Sequence, residues 1–177
     1  MSATSFDEVV AAHEITQVIG RLARAQDRLD REGIIAAYHA DAIDDHVIFK
    51  GSAAEFADWV IALLGERFEE TTHFVGPPVI EIDGDVAQTN TQAVCHHLTR
   101  TNLVLEPGGR TPRADFVLGM RYLDRFERRD GVWKIAYRQS VLDWSYHAMF
   151  EGSIKSWHAA GMIEGRRDRT DPSYKPI

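Results

Sequence analysis

The sequence predicts an α+β fold, with N-terminal helices packed inside a strongly bent antiparallel sheet that forms a cone. Two observations predict it. Apolar residues recur at helical spacing in the first third of the chain, and alternating runs separated by sharp turns take over from "THFVGPPVIEIDGD" onward. Helices first and long strands afterwards give segregated layers, not alternating βαβ units. A cone of this kind encloses a pocket between sheet and helices, normally apolar with a few polar groups.

Ile15, Val18, Ile19, Leu22 and Leu29 set a first helix over about residues 7–29. Asp30 is placed to cap a short second helix, "REGIIAAYHA". "DAIDDH" reads as an acidic turn leading into the strand "DHVIFKG". The third helix, "SAAEFADWVIALLGERF", opens with Ser52 and Glu55 at capping-box spacing. Strands follow at Val79–Ile82 and "VAQTNTQAVCHHLTR", then the loop "EPGGRTPR". A long hairpin comes next, "FVLGMRYLDRFERR" and "VWKIAYRQSVLDW", joined by Asp130-Gly131. From Ser145 the chain reads as partly helical and then as an extended arm, so residues 1–150 form the domain and 151–177 its C-terminal appendage.

The 177 residues are 44% hydrophobic and 27% charged, with a net charge of −7, which disfavours nucleic acid or an anionic membrane as the main partner. The single cysteine, Cys95, excludes an intrachain disulfide and reads as a small core residue of a strand. The first residues lack a basic stretch followed by a long apolar one, and no apolar run approaches the ~20 residues of a membrane span. A cytoplasmic protein acting on a small molecule is expected.

In this order, "ITQVIGRLARAQDRLD", "YHADAIDDHVIFKG", "ETTHFVG" and "YLDRFERRDGVWKI" resemble the SnoaL-like group of the NTF2-like (cystatin-like) superfamily. That group resembles the polyketide cyclases, scytalone dehydratase, bile-acid dehydratase and hexachlorocyclohexane dehydrochlorinase. The resemblance implies a cone fold, a homodimer or higher homo-oligomer, and three catalytic positions. Asp27 falls where these families keep an acid beside the catalytic histidine, His73 falls on that histidine, and Arg138 falls on an arginine of the last long strand. Leu22 stands near the dehydrochlorinase's pocket lysine, a departure from its pattern. The scytalone dehydratase pattern asks for a second histidine and tyrosines, for which His96 or His97 and Tyr38 are available.

The chemistry fits those residue types. Imidazole is the usual general base near neutral pH, a buried carboxylate fixes its tautomer, and arginine can hold a developing oxyanion. The implied reaction is proton abstraction next to an activating group, followed by loss of water or double-bond migration, and it calls for no cofactor or metal. Tyr38, His46, His96 and Trp144 are the expected substrate contacts.

Each position has a plainer reading. On the helical wheel Asp30 lies ~60° from the centre of the apolar face and Asp27 ~120°, so periodicity favours Asp30 as the inward acid while the motif order favours Asp27. Arg138 has Asp124 and Glu127 as possible partners across the hairpin. His96 and His97 cannot both point inward; registry on the dehydrochlorinase favours His96, whereas small Ala93 and Cys95 leave room on the His97 face. Asp41, Asp44, Asp45 and His46 lack a recognised metal spacing. Two other functions remain open on this fold. One is a non-catalytic ligand-binding module, like a dioxygenase β-subunit, with its pocket filled by side chains. The other is epoxide hydrolysis through Asp27, Arg138 and Asp143.

Overall fold

The structure is a computed structural model, and it describes residues 5–46, 48–100, 113–149, 163 and 165–176. Helix α1 spans Phe6–Asp27, opened by a capping box in which Ser5 and Glu8 satisfy each other's backbone N–H. Asp30 caps α2, Arg31–Ala36, by accepting from the Gly33 N–H at 3.1 Å. Strands β1 (Tyr38–His46) and β2 (Phe49–Ser52) lead to α3, Ala53–Arg67, opened by the Ser52/Glu55 box. Strands β3 (Phe68–Val75), β4 (Val79–Asp83), β5 (Val86–Thr99), β6 (Ala114–Arg129) and β7 (Val132–Met149) complete the sheet. Among the described residues no helix is long and apolar enough to cross a membrane.

The sheet runs β2-β1-β7-β6-β5-β3, and β4 pairs with the half of β5 that β3 leaves free. Gly76-Pro77-Pro78 separates β3 from β4, since proline cannot donate to a ladder. The β6–β7 hairpin turns at Asp130 (φ 51°) and Gly131 (φ 78°), the paired positive dihedrals of a type I′ turn. The apolar side of α1 (Ile15, Leu22) packs with Phe56 of α3, Phe126 of β6 and Ile135 of β7, all essentially inaccessible to solvent.

Four sequence expectations change. The second helix ends at Ala36, and Tyr38 begins a strand. The acidic segment is the body of that strand, not a turn; Asp44 occupies an inward position, so the usual apolar alternation is hidden. This strand runs parallel to β7, making the sheet mixed. The last strand continues to Met149 where helix was expected from Ser145; the rest of that expected helix, and most of the loop "EPGGRTPR", lie outside the described residues.

The C-terminal arm packs on its own chain. Asp171 is buried and accepts from the Arg166 N–H (2.7 Å) and the Ser173 N–H (2.9 Å), with the Arg28 guanidinium at 3.2 Å. Arg169 and the Tyr174 hydroxyl both reach Asp30 at 2.9 Å. Arg167 donates to the carbonyls of Phe68 (2.7 Å) and Leu64 (3.2 Å), tying the arm to the C-terminal end of α3 and the start of β3.

Candidate active site

A cavity of about 390 Å³ lies between α1, α3 and the inner face of the sheet. Its walls are mainly apolar, among them Trp59, Leu63, Phe116, Leu118 and Met120. Into this lining project Gln26, His46, His73, Cys95, His97 and Tyr122, with Arg67 of α3 also at the wall.

Asp27 reaches His73 at the cavity wall because α1 stops there. Leu29 adopts a left-handed backbone (φ 51°), the Asp30 N–H returns to the Ala25 carbonyl at 2.8 Å, and the Leu29 N–H to the Gln26 carbonyl at 3.2 Å. This is a Schellman ending with leucine where glycine usually stands. Asp30 is therefore off the helix, and its wheel position has no meaning. It caps α2 and holds the arm.

Asp27 grips His73 twice. Its Oδ1 accepts from the ring Nδ1–H at 2.7 Å and its Oδ2 from the backbone N–H at 2.9 Å, so ring and strand are positioned together. Both side chains are nearly buried. Burial alone would raise the Asp27 pKa, but hydrogen bonds from His73 and its charge outweigh that and hold it below the ordinary aspartate value. Burial alone would lower His73; the Asp27 carboxylate and the Cys95 sulfur, directly opposite on β5, reverse this and push it up to about 10. His73 thus rests as imidazolium at neutral pH. The Nδ1 contact leaves the Nε2–H on the side of Cys95, which also lines the cavity.

The β5 alternation puts the odd residues from Ala87 to His97 inward. His97, not His96, therefore lines the cavity, correcting the registry-based expectation. Small Ala93 and Cys95 on that face were the sequence signal for it. Burial first, and then the neighbouring His73 charge, push His97 down to about 3, so it is neutral. Its buried Nδ1 has no hydrogen-bond partner within the described protein. His96 sits on the outer face, 2.9 Å from Asp115.

His46 also lines the cavity, with Nδ1 3.2 Å from Asp44 and 2.9 Å from the Ser140 hydroxyl. The other expected site residues stand elsewhere. Arg138 is 2% exposed and does not line the cavity; it donates two bonds to Asp124, at 2.6 and 2.7 Å, and lies over the Tyr122 ring at 4.5 Å. The cross-hairpin carboxylate outcompetes the cavity for it. Tyr38 is buried below the cavity and donates to Asp44 at 2.7 Å. Trp144 lies on the outer face, covering Gly119 and stacked on Tyr146. Asp143 pairs with Arg121 at 2.8 Å, so Asp27, Arg138 and Asp143 do not converge. Among the described residues no three His, Cys, Asp or Glu side chains gather as a metal site.

A family model of the SnoaL-like domain matches residues 7–139. Among solved structures, the chain is similar to a hexachlorocyclohexane dehydrochlorinase from Novosphingobium barchaimii (17% identity, TM-score 0.70, covering 85% of this chain and 100% of that one). It is also similar to a candidate scytalone dehydratase from Novosphingobium aromaticivorans (16%, 0.65, 82% and 92%). A third is an NTF2-like superfamily protein from Salmonella enterica (14%, 0.63, 84% and 97%). No curated protein matches in sequence. At these identities the structural likeness speaks for the fold, and the family match joins it: this chain belongs to the SnoaL-like family, on the NTF2-like cone fold.

Proposed function

We propose that this protein is a cofactor-independent lyase or isomerase of dehydratase or SnoaL-like cyclase type, acting on a mostly apolar cyclic small molecule through His/Asp acid–base chemistry. The observation that carries this reading is His73, held by Asp27, at the wall of a mainly apolar cavity of about 390 Å³. A cavity of that size accepts a one- or two-ring compound. The raised basicity of His73 refines the expected role: the ring begins protonated and its first act is to donate, to a departing hydroxyl or a developing enolate oxygen. Neutral His97 lines the cavity beside His73. The open cavity disfavours a binding subunit whose pocket is filled by side chains. Exposed Phe74, Trp144 and Tyr146 on the outer face of the sheet support a homo-oligomer, testable by sedimentation.

The reading is tested with a panel of cyclic β-hydroxy ketones, whose dehydration creates a conjugated enone visible by ultraviolet absorption. At least one member is expected to turn over, and His73→Ala and Asp27→Asn to lose ~10²–10⁴-fold while circular dichroism stays unchanged. Undiminished turnover by a folded His73→Ala protein overturns it. A wild-type protein that binds the panel and turns over none of it favours the binding-module reading.

A further inference from the structure

A second imidazole–carboxylate pair faces the same cavity, and donation by His73 leaves it unused. His46 projects from β1 into the cavity lining, while its Nδ1 is turned away toward Asp44 Oδ1 (3.2 Å) and the Ser140 hydroxyl on β7 (2.9 Å). Asp44 is fully buried and its other oxygen accepts from the Tyr38 hydroxyl at 2.7 Å. An ionised carboxylate can only accept, so it selects the tautomer with hydrogen on Nδ1 and a bare lone pair on Nε2. The ring plane is fixed by stacking on Phe56 of α3, with centroids 5.2 Å apart, and Trp59 and Tyr122 flank it.

The groups behind His46 are charged and buried. Asp44, Asp124 and Arg138 are all buried; two carboxylates and one guanidinium leave one net negative charge, with Tyr38 and Tyr122 neutral beside them. Asp27 and His73 stand on α1 and β3, whereas His46 stands on β1 against β7 and α3, so the two pairs address the cavity from different walls.

We propose that His46 is the proton acceptor of this cavity, its Nε2 removing a substrate C–H proton while His73 donates to the leaving oxygen. The proposal deepens the lyase reading and rests on it. The C–H bond breaks and its proton passes to His46; its electron pair becomes the new C=C bond. The C–O bond breaks with its pair going to oxygen, which takes the proton of His73 and leaves as water. No oxidant or reductant enters. Solvent returns the proton from His46 to His73 after release.

The test uses 5-nitrobenzisoxazole, which requires only a base in an apolar cavity: the base takes the ring C–H proton, the N–O bond breaks, and a coloured cyanophenolate forms. Wild-type protein is expected to exceed free imidazole at equal concentration, and His46→Gln to fall by ~10²-fold or more. His73→Gln is expected to change this rate by less than tenfold, because phenolate departure needs little protonation. Nitrogen-15 NMR of the wild-type ring should show Nδ1 protonated and Nε2 bare, with Asp44→Asn mixing the tautomers. Equal rates for wild type and a folded His46→Gln, no rate above free imidazole, dependence on His73 alone, or the opposite tautomer would each overturn it. A protein that eliminates from the benzisoxazole through His46 yet dehydrates no hydroxy ketone keeps this assignment and loses the dehydratase reading.

Discussion

His97 stands edge-on to His73, with ring centroids 5.4 Å apart and planes perpendicular, and the two rings are held in opposite charge states. Burial disfavours charge on both, but only His73 is hydrogen-bonded to a carboxylate that compensates. The imidazolium so formed then repels a second charge on His97.

Stability should therefore peak near pH 6.5. Above it, His73 keeps in the folded state a proton that the unfolded chain has lost, so this stabilisation is complete below about 6.5 and disappears as pH rises toward 10. Below it, His97 stays neutral in the folded state down to about 3 while the unfolded chain takes up a proton, so stability falls with falling pH. Each full one-proton difference is worth about 1.4 kcal/mol per pH unit. Urea titrations of His97→Phe should flatten the acid limb and leave the alkaline one, and the reverse pattern would be incompatible with these charge states.

Asp27→Asn tests what sets the His73 charge. The amide can still accept from the backbone N–H but no longer supplies a negative charge, so burial should pull His73 down from about 10 into the neutral range. Ring C–H chemical shifts followed against pH read this directly. Cys95→Ala should move His73 in the same direction by less, and a His73 unmoved by either change would place the cause elsewhere.

Arg138 should matter for folding and not for turnover. Arg138→Met strands the buried Asp124 carboxylate and is expected to cost about 3–5 kcal/mol. The double variant Arg138→Met/Asp124→Leu removes both charges and should recover most of that loss. If a stable double variant loses turnover far beyond any loss of folded protein, Arg138 acts on the chemistry after all.

The contrast between Arg138 and His73 shows what the sequence could convey about the site. The two capping boxes, the Asp130-Gly131 hairpin and the alternation of β5 depend on local chemistry, and each is readable along the chain. The end of α1 is not, because leucine occupies the left-handed position that glycine normally marks; periodicity therefore ran on through Asp30 and chose the wrong acid for the cavity. Strand β1 was obscured for a related reason. Its inward Asp44 is paid for by partners 6 and 2 residues away, Tyr38 and His46, and by strand β7, none visible as an apolar alternation. Which carboxylate wins an arginine, and which histidine of an adjacent pair faces inward, are decided by packing across strands.

The arm should hold the site together from outside. Arg169 and Tyr174 fasten Asp30, Asp171 faces Arg28, and Arg167 binds the Phe68 carbonyl where β3 begins, so the arm clamps both elements that carry the Asp27–His73 pair. Asp171→Ala removes one carboxylate from two backbone donors and the Arg28 ion pair and, at the usual worth of hydrogen bonds to charged groups, should cost about 1.5–3 kcal/mol. Truncation after residue 164 should cost more, and it should also speed hydrogen exchange at the His73 backbone N–H, which Asp27 protects. Exchange at Phe126 and Ile135, in the core away from the arm, should change only as far as global stability does. A truncated protein with His73 exchange unchanged relative to those two core amides would show that the α1–β3 contact stands without the arm.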